Sequence, residues 1–204
     1  MWLFFLTPIT LISFIFYYAS IGGFGDMPDL EVLENPKTNL ASEVISSDGK
    51  TLGKYYFNDN RTPVTFEELP NHLVDALIAT EDIRFYSHSG IDFKRTIGAA
   101  LKLGKDGGGS TITQQLAKLL FTGEGSRDII ERLTQKFKEY IIAVRLERHY
   151  TKDEIITQYL NLYDFGNNGD GIRSAARIYF GKEPIDLDIN ESAILVGMLK
   201  NSSL

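Results

Sequence analysis

Hydrophobic residues follow one another almost without a break from Trp2 to Ala19, and no charged side chain occurs between Trp2 and Gly25. A run of that length matches the hydrocarbon core of a bilayer and predicts one transmembrane anchor over residues 1–21. The rival is a cleaved signal peptide. Against it, no basic residue precedes the apolar stretch, and Tyr17-Tyr18-Ala19-Ser20 is a poor small-x-small cleavage site. Asp26, Asp29, Glu31 and Glu34 follow with no basic residue until Lys37, which permits that side of the membrane to be the outside. Gly22, Gly23, Gly25 and Pro28 make residues 22–41 a loose linker.

Beyond the linker the pattern changes. Ser42 to Phe57 reads as two short strands around Ser47-Asp48-Gly49-Lys50, a hairpin signal. The same four residues match S-x-x-K, the nucleophile motif of penicillin-binding transpeptidases. The turn is preferred, because Asp-Gly between strand-like flanks is strong turn chemistry and neither S-D-N nor K-T-G occurs. After Pro63 the spacing becomes helical. Leu73, Val74, Leu77 and Ile78 predict a helix entered at Pro70-Asn71 that ends on Glu81-Asp82. Carboxylates at that end oppose the helix dipole, and a local rule broken is a hint of function.

Ile130, Leu133, Phe137, Ile141 and Val144 fall three and four apart, which predicts a long amphipathic helix over Asp128 to His149, with Lys136 and Glu139 off its apolar stripe. Thr151-Lys152-Asp153-Glu154 is a capping box opening a further helix through Tyr159 and Leu160. Gly171 to Phe180 predicts a helix stopped by Gly181, and Asn190 caps a last one over Glu191 to Lys200. The chain is therefore mostly α after the anchor. It stops directly after that helix, so residues 42–204 read as one domain cut short at its C-terminal end.

Composition narrows the chemistry. A formal net charge of -6 excludes a general nucleic-acid binder, so an anionic ligand must meet a local basic site. With no cysteine there is no disulfide scaffold, thiolate metal site or Cys nucleophile. His72, His88 and His149 are too scattered for a zinc helix.

Taken singly, the candidate segments are unremarkable in chemistry. Glu81-Asp82 reads as a solvated helix end, Gly107 to Gly109 as a flexible loop, and Lys136 with Glu139 as a surface pair worth roughly a few tenths of a kcal/mol. Together they say more. Glu81-Asp82-Ile83-Arg84-Phe85-Tyr86-Ser87-His88-Ser89-Gly90 resembles the E-D-x-x-F-x-x-H-x-G motif of family 51 peptidoglycan glycosyltransferases, the domain of class A penicillin-binding proteins and monofunctional transglycosylases. Gly108-Gly109-Ser110-Thr111-Ile112-Thr113-Gln114-Gln115-Leu116-Ala117-Lys118 resembles that family's second motif, and Gln135-Lys136-Phe137-Lys138-Glu139 its third, R-K-x-x-E. The likeness continues through Leu146-Glu147-Arg148, Tyr150-Thr151-Lys152, Tyr159-Leu160-Asn161 and Tyr179-Phe180-Gly181-Lys182.

The resemblance implies a lysozyme-like, mainly α glycosyltransferase domain with a small β hairpin near its start, behind one transmembrane helix. It implies polymerisation of lipid II onto a growing lipid-linked glycan strand, with release of undecaprenyl pyrophosphate, outside the cytoplasmic membrane of a bacterium. Other cell-wall synthesis proteins are expected partners, and nucleic acid is not. By resemblance Glu81 is the catalytic base and Glu139 assists, orienting Lys136 or the donor. Asp82, Phe85 and His88 belong to the substrate-binding first motif, with His88 a structural hydrogen-bonder that holds its loop.

The departing diphosphate needs cations and oriented N–H groups. Glycines that let backbone approach closely, leading into a helix over Gln114 to Leu120, suit that need, with Ser110, Thr111, Gln115, Lys118 and Lys136 as side-chain donors. No cofactor is required. A divalent cation, magnesium or manganese, could assist near the pyrophosphate, although the sequence shows no dedicated cage for it. Gln135 stands where the family has Arg, which removes a bidentate phosphate fork that Arg132, Lys136 or Lys138 would have to cover. Two other readings stay open: a lytic enzyme of similar fold, and a non-catalytic lipid II scaffold.

Overall fold

The computed structural model describes residues 42–49, 51–55, 61–101, 109–123 and 128–200, with scattered positions between 7 and 25. Most of the segment read as an anchor lies outside the described residues. Within it, Thr7, Thr10, Ser13, Phe14, Tyr17 and Tyr18 are helical and exposed. Among the described residues no helix is long and apolar enough to cross a membrane. The chain divides into two compact units, Met1–Pro36 with Ser89–His149, and Lys37–His88 with Tyr150–Leu204. They are called here the Lys136 unit and the Glu81 unit.

The Glu81 unit begins with the expected hairpin. Strands β1 (Ser42–Ile45) and β2 (Thr51–Tyr55) pair antiparallel, with an irregularity between Val44 and Ile45. Gly49 takes φ +80° and its N–H donates to Ser46 O at 2.9 Å, so Ser47 belongs to a turn. Four helices follow: α1 (Asn71–Glu81), α5 (Lys152–Leu162), α6 (Gly171–Phe180) and α7 (Ile189–Lys200). Their apolar faces supply Leu73, Leu77, Ile155, Ile156, Tyr159, Leu160, Ile172 and Leu195, all fully buried. Each such aliphatic side chain stabilises the fold by roughly 1.5–3 kcal/mol.

Polar ties fix the connections of this unit. Asn161 works as a two-way bridge, its Nδ2 donating to Val64 O and its Oδ1 accepting from Val64 N, both at 2.9 Å. The capping box at Thr151 and Glu154 forms as expected, and Gly181 ends α6 in the left-handed region at φ +67°. The cap of α7 is displaced from expectation. Asp188 Oδ1, not Asn190, accepts the first N–H groups, from Asn190 at 2.8 Å and Glu191 at 2.9 Å. Both residue types cap well, and helix start decides which one serves.

The Lys136 unit holds α2 (Phe93–Leu101), α3 (Ile112–Ala117) and α4 (Ile129–His149). The second motif's helix was expected over Gln114 to Leu120. It starts earlier, behind a Thr111 cap, and after Ala117 widens into a π-helical turn, Lys118–Thr122, that stops at Gly123. Helix α3 packs on α4 through Ile112, Leu116, Ile142 and Leu146, each fully buried.

The stripe expected on α4 is not the buried one. Ile130 and Leu133 are 75% and 55% exposed, whereas Glu139, Ile142, Ala143 and Leu146 face inward. A glutamate in the packed face breaks the hydrophobic period that would have marked it.

Candidate active site

In the Glu81 unit, α1 ends by delivering two neighbouring carboxylates to different environments. Glu81 is the last helical residue and half-buried, while Asp82 is 1% exposed and closes the helix through its N–H to Ile78 O at 3.0 Å. The chain then tightens into a 3₁₀ turn, Phe85–Ser87, with Phe85 N donating to Asp82 O at 2.8 Å. His88 returns to the helix end, its Nε2–H donating to Asp82 Oδ1 and Oδ2 at 3.1 and 3.0 Å. The imidazole packs edge-on against the fully buried Phe85 ring, centroids 6.2 Å apart. Asp82, Phe85 and His88 thus brace the segment that carries Glu81.

Tyr159, at the α5 face of the same unit, has its phenol pushed far up, first by burial and then by the Glu81 charge. It stays protonated at any working pH. The sequence marked Tyr159 as part of a helix and of the Tyr159-Leu160-Asn161 likeness, not as a neighbour of Glu81.

In the Lys136 unit a second cluster forms around one ammonium. Lys136 Nζ donates to Ser110 Oγ and to Glu139 Oε2, both at 2.7 Å, and lies 5.7 Å from the Tyr140 ring centroid. Glu139, 7% exposed, also accepts from Thr122 Oγ1 at 3.4 Å, a contact the sequence did not suggest. An ammonium carries three donors. Among the described residues two of them go to Ser110 and Glu139.

Thr111 departs from its expected role. Its hydroxyl is fully buried, donates to Gly90 O at 2.7 Å and accepts from Gln114 N at 3.2 Å, while its own N–H donates to Gln114 Oε1 at 3.3 Å. The capping box satisfies the Thr111 and Gln114 N–H groups, and the Thr111 hydroxyl is engaged as a helix cap. Gln114 Nε2 joins at Gly90 O, 3.2 Å away. Gly90 has φ +87°, and a Cβ there would lie 2.8 Å from Ala143 C and O, so only glycine fits. Gln115 is half-buried within α3 and Lys118 is exposed just past its end. Gly107 and Gly108 lie outside the described residues.

Among the described residues no group of three or more His, Asp or Glu side chains could hold a metal ion.

A family model described as Transglycosylase matches residues 48–204. The chain belongs to the transglycosylase family. It is 38% identical over 182 residues to penicillin-binding protein 1A of Pseudomonas aeruginosa, covering 87% of this chain and 21% of that protein. Penicillin-binding protein 1F of Bacillus subtilis is 41% identical over 170 residues, 81% of this chain and 23% of its own length. Penicillin-binding protein 1A of Escherichia coli is 39% identical over 182 residues, with shares of 87% and 21%. The chain therefore spans less than a quarter of the length of these relatives. Both clusters fall inside the matched transglycosylase region.

Proposed function

We propose that this domain is a peptidoglycan glycosyltransferase that polymerises lipid II into β-1,4-linked glycan strands and releases undecaprenyl pyrophosphate. The acceptor's 4-hydroxyl gives its proton to Glu81 as its oxygen bonds to the donor's anomeric carbon. The bond from that carbon to the diphosphate oxygen breaks, and the diphosphate leaves with the electron pair. An α-linked donor and a β-linked product require one inverting displacement, with no covalent glycosyl-enzyme and no carboxylate nucleophile.

The observation that carries this reading is the Lys136 ammonium fixed between Ser110 and Glu139. A departing diphosphate needs such a cation, whereas a lytic enzyme protonates a sugar oxygen with an acid. Glu139 orients Lys136, and Gln115 and Lys118 add donors. In this reading Glu81 acts on the acceptor's 4-hydroxyl and Lys136 on the donor's diphosphate. A magnesium or manganese ion would be carried by the diphosphate's own oxygens. We place the domain at the extracytoplasmic face of the bacterial cytoplasmic membrane, on a single-pass anchor, beside the growing strand and other cell-wall synthesis proteins. Confinement to one membrane plane raises the effective concentration of enzyme and lipid-linked substrates.

The test is the full chain with purified lipid II. Polymer and free undecaprenyl pyrophosphate are expected, and Glu81→Gln abolishes both while lipid II still binds. Cleavage of preformed strands without polymer would establish the lytic reading, and binding with no turnover by the wild type the scaffold.

A further inference from the structure

Lys152 is the first residue of α5, directly after the Thr151 cap. A cation there opposes the helix dipole, so its placement needs compensation from elsewhere. The compensation comes from the first-motif segment of the same unit. Lys152 Nζ donates to His88 O at 2.7 Å and stands 4.2 Å over the centroid of the Phe85 ring. Phe85 opens the 3₁₀ turn and His88 closes it, the first fully buried and the second bonded to both oxygens of Asp82, the residue next to Glu81. The α5 start is itself held, with Thr151 N donating to Glu154 Oε2 at 2.7 Å and Glu154 N to Thr151 Oγ1 at 3.3 Å. A single ammonium on a capped helix terminus therefore grips both ends of the turn that braces the base.

We infer that Lys152 is a positioning residue for Glu81, locking the Phe85–His88 turn so that Asp82 and the α1 terminus keep the carboxylate in its reactive place. It touches no substrate. A half-buried ammonium over an aromatic face is worth more than an exposed one, and a donor aimed at a main-chain carbonyl fixes the loop whatever side chain the loop carries. This inference rests on the reading of Glu81 as the catalytic base.

The experiment compares the full chain with Lys152→Met and Lys152→Arg in lipid II polymerisation, together with amide hydrogen exchange of each protein. Methionine keeps an apolar stem over Phe85 and removes both donor and charge. Displacing a reacting group by about 1 Å costs on the order of 100-fold, so turnover should fall by about 10- to 100-fold in Lys152→Met with the KM for lipid II within about twofold. Arginine can still stack on Phe85 and donate to the carbonyl, and should restore most of the loss. Amides 82–88 should exchange faster in Lys152→Met while those of 152–162 do not.

Turnover of Lys152→Met within about twofold of wild type overturns the inference, as does a loss confined to KM, a loss that arginine does not rescue, or unchanged exchange at 82–88. If Lys152→Met does not fold, Lys152→Gln, which keeps a neutral donor, takes its place under the same criteria, with a smaller loss expected. If the wild type makes no polymer, the functional reading fails by itself, and exchange at 82–88 still decides whether Lys152 holds the turn.

Discussion

Lys136 and Glu139 stand one helical turn apart on α4 with Nζ and Oε2 separated by 2.7 Å, the ammonium a third exposed and the carboxylate nearly buried. The asymmetry assigns the roles. The inward member is held by Thr122 as well as by Lys136, and the outward member is held by Ser110, so the carboxylate orients the cation rather than the reverse. Glu139→Gln keeps the volume and an acceptor for Thr122 but removes the charge that aims Lys136. Turnover should fall by about 10- to 100-fold. In a double-mutant cycle with Lys136→Met, the double variant should lose little more than the worse single, because the two act as one unit. Fully additive losses would mean that the residues work separately.

The Asp82–His88 contact predicts a stability effect that Glu81 lacks. Removing the imidazole with His88→Ala leaves a carboxylate that is 1% exposed without its Nε2–H donor, which costs about 1–3 kcal/mol. Glu81→Gln, at a half-buried helix end, should leave stability within about 0.5 kcal/mol while abolishing turnover. Urea unfolding of the two variants separates these outcomes, and equal destabilisation would refute the division of labour between the neighbouring carboxylates.

The features legible in the sequence were those fixed by local chemistry. Asp48-Gly49 demands a turn, Thr151 with Glu154 satisfies a helix start within four residues, and Gly181 accepts a left-handed conformation that others resist. The α1 stripe was legible too, because Leu73, Val74 and Leu77 are apolar and inward with nothing polar among them. The buried face of α4 was not, since Glu139 sits in it and Ile130 and Leu133 form a tidier period on the exposed side. Hydropathy measures a residue's preference, not its partner, and a buried glutamate paired with lysine is invisible to it. The capping role of Thr111 was hidden for a related reason. Its chemistry suits a phosphate or a cap equally, and only the position of Gly90 O decides.

Acid should weaken the start of α7. The Asp188 carboxyl is held below the usual carboxylate range, chiefly by the Glu191 N–H, with the Asn190 N–H and Lys182 adding to it. Glu191 is held low by the Lys182 ammonium and by the Asp188 N–H. A folded value below the unfolded one means that the stabilisation is present above the unfolded carboxylate range and disappears as protonation begins in the folded state. Asp188→Ala should therefore lower the melting temperature at pH 7, and the gap from wild type should close as the pH is brought below the carboxylate range. A gap that stays constant with pH would point to lost packing instead of a lost cap.

Gly90→Ala tests the close approach of the Gly90 loop to α4 within the Lys136 unit. The substitution combines φ +87° with a Cβ that would meet Ala143 backbone at 2.8 Å. The conformational part alone costs roughly 1–2 kcal/mol, and the backbone must also move. Displacing Gly90 O would pull on Thr111 and Gln114 together, so the variant should lose stability. Wild-type stability in thermal unfolding would refute the fit.

Thr111 and Lys118 stand at opposite ends of the second-motif helix, and their roles divide by a binding measurement. The phosphoglycolipid moenomycin mimics the diphosphate-linked donor of the family that the motifs resemble. Lys118 is exposed, and an ammonium lost from a charge-assisted contact should weaken moenomycin by about tenfold or more in Lys118→Ala. Thr111→Val removes the cap and the bond to Gly90 O, costing about 0.5–2 kcal/mol of stability. Below its melting transition it should still bind moenomycin almost as wild type does, because a hydroxyl already committed to Gly90 has nothing to give a phosphate. The reverse result, with affinity lost in Thr111→Val and kept in Lys118→Ala, would return Thr111 to the ligand and remove Lys118 from it.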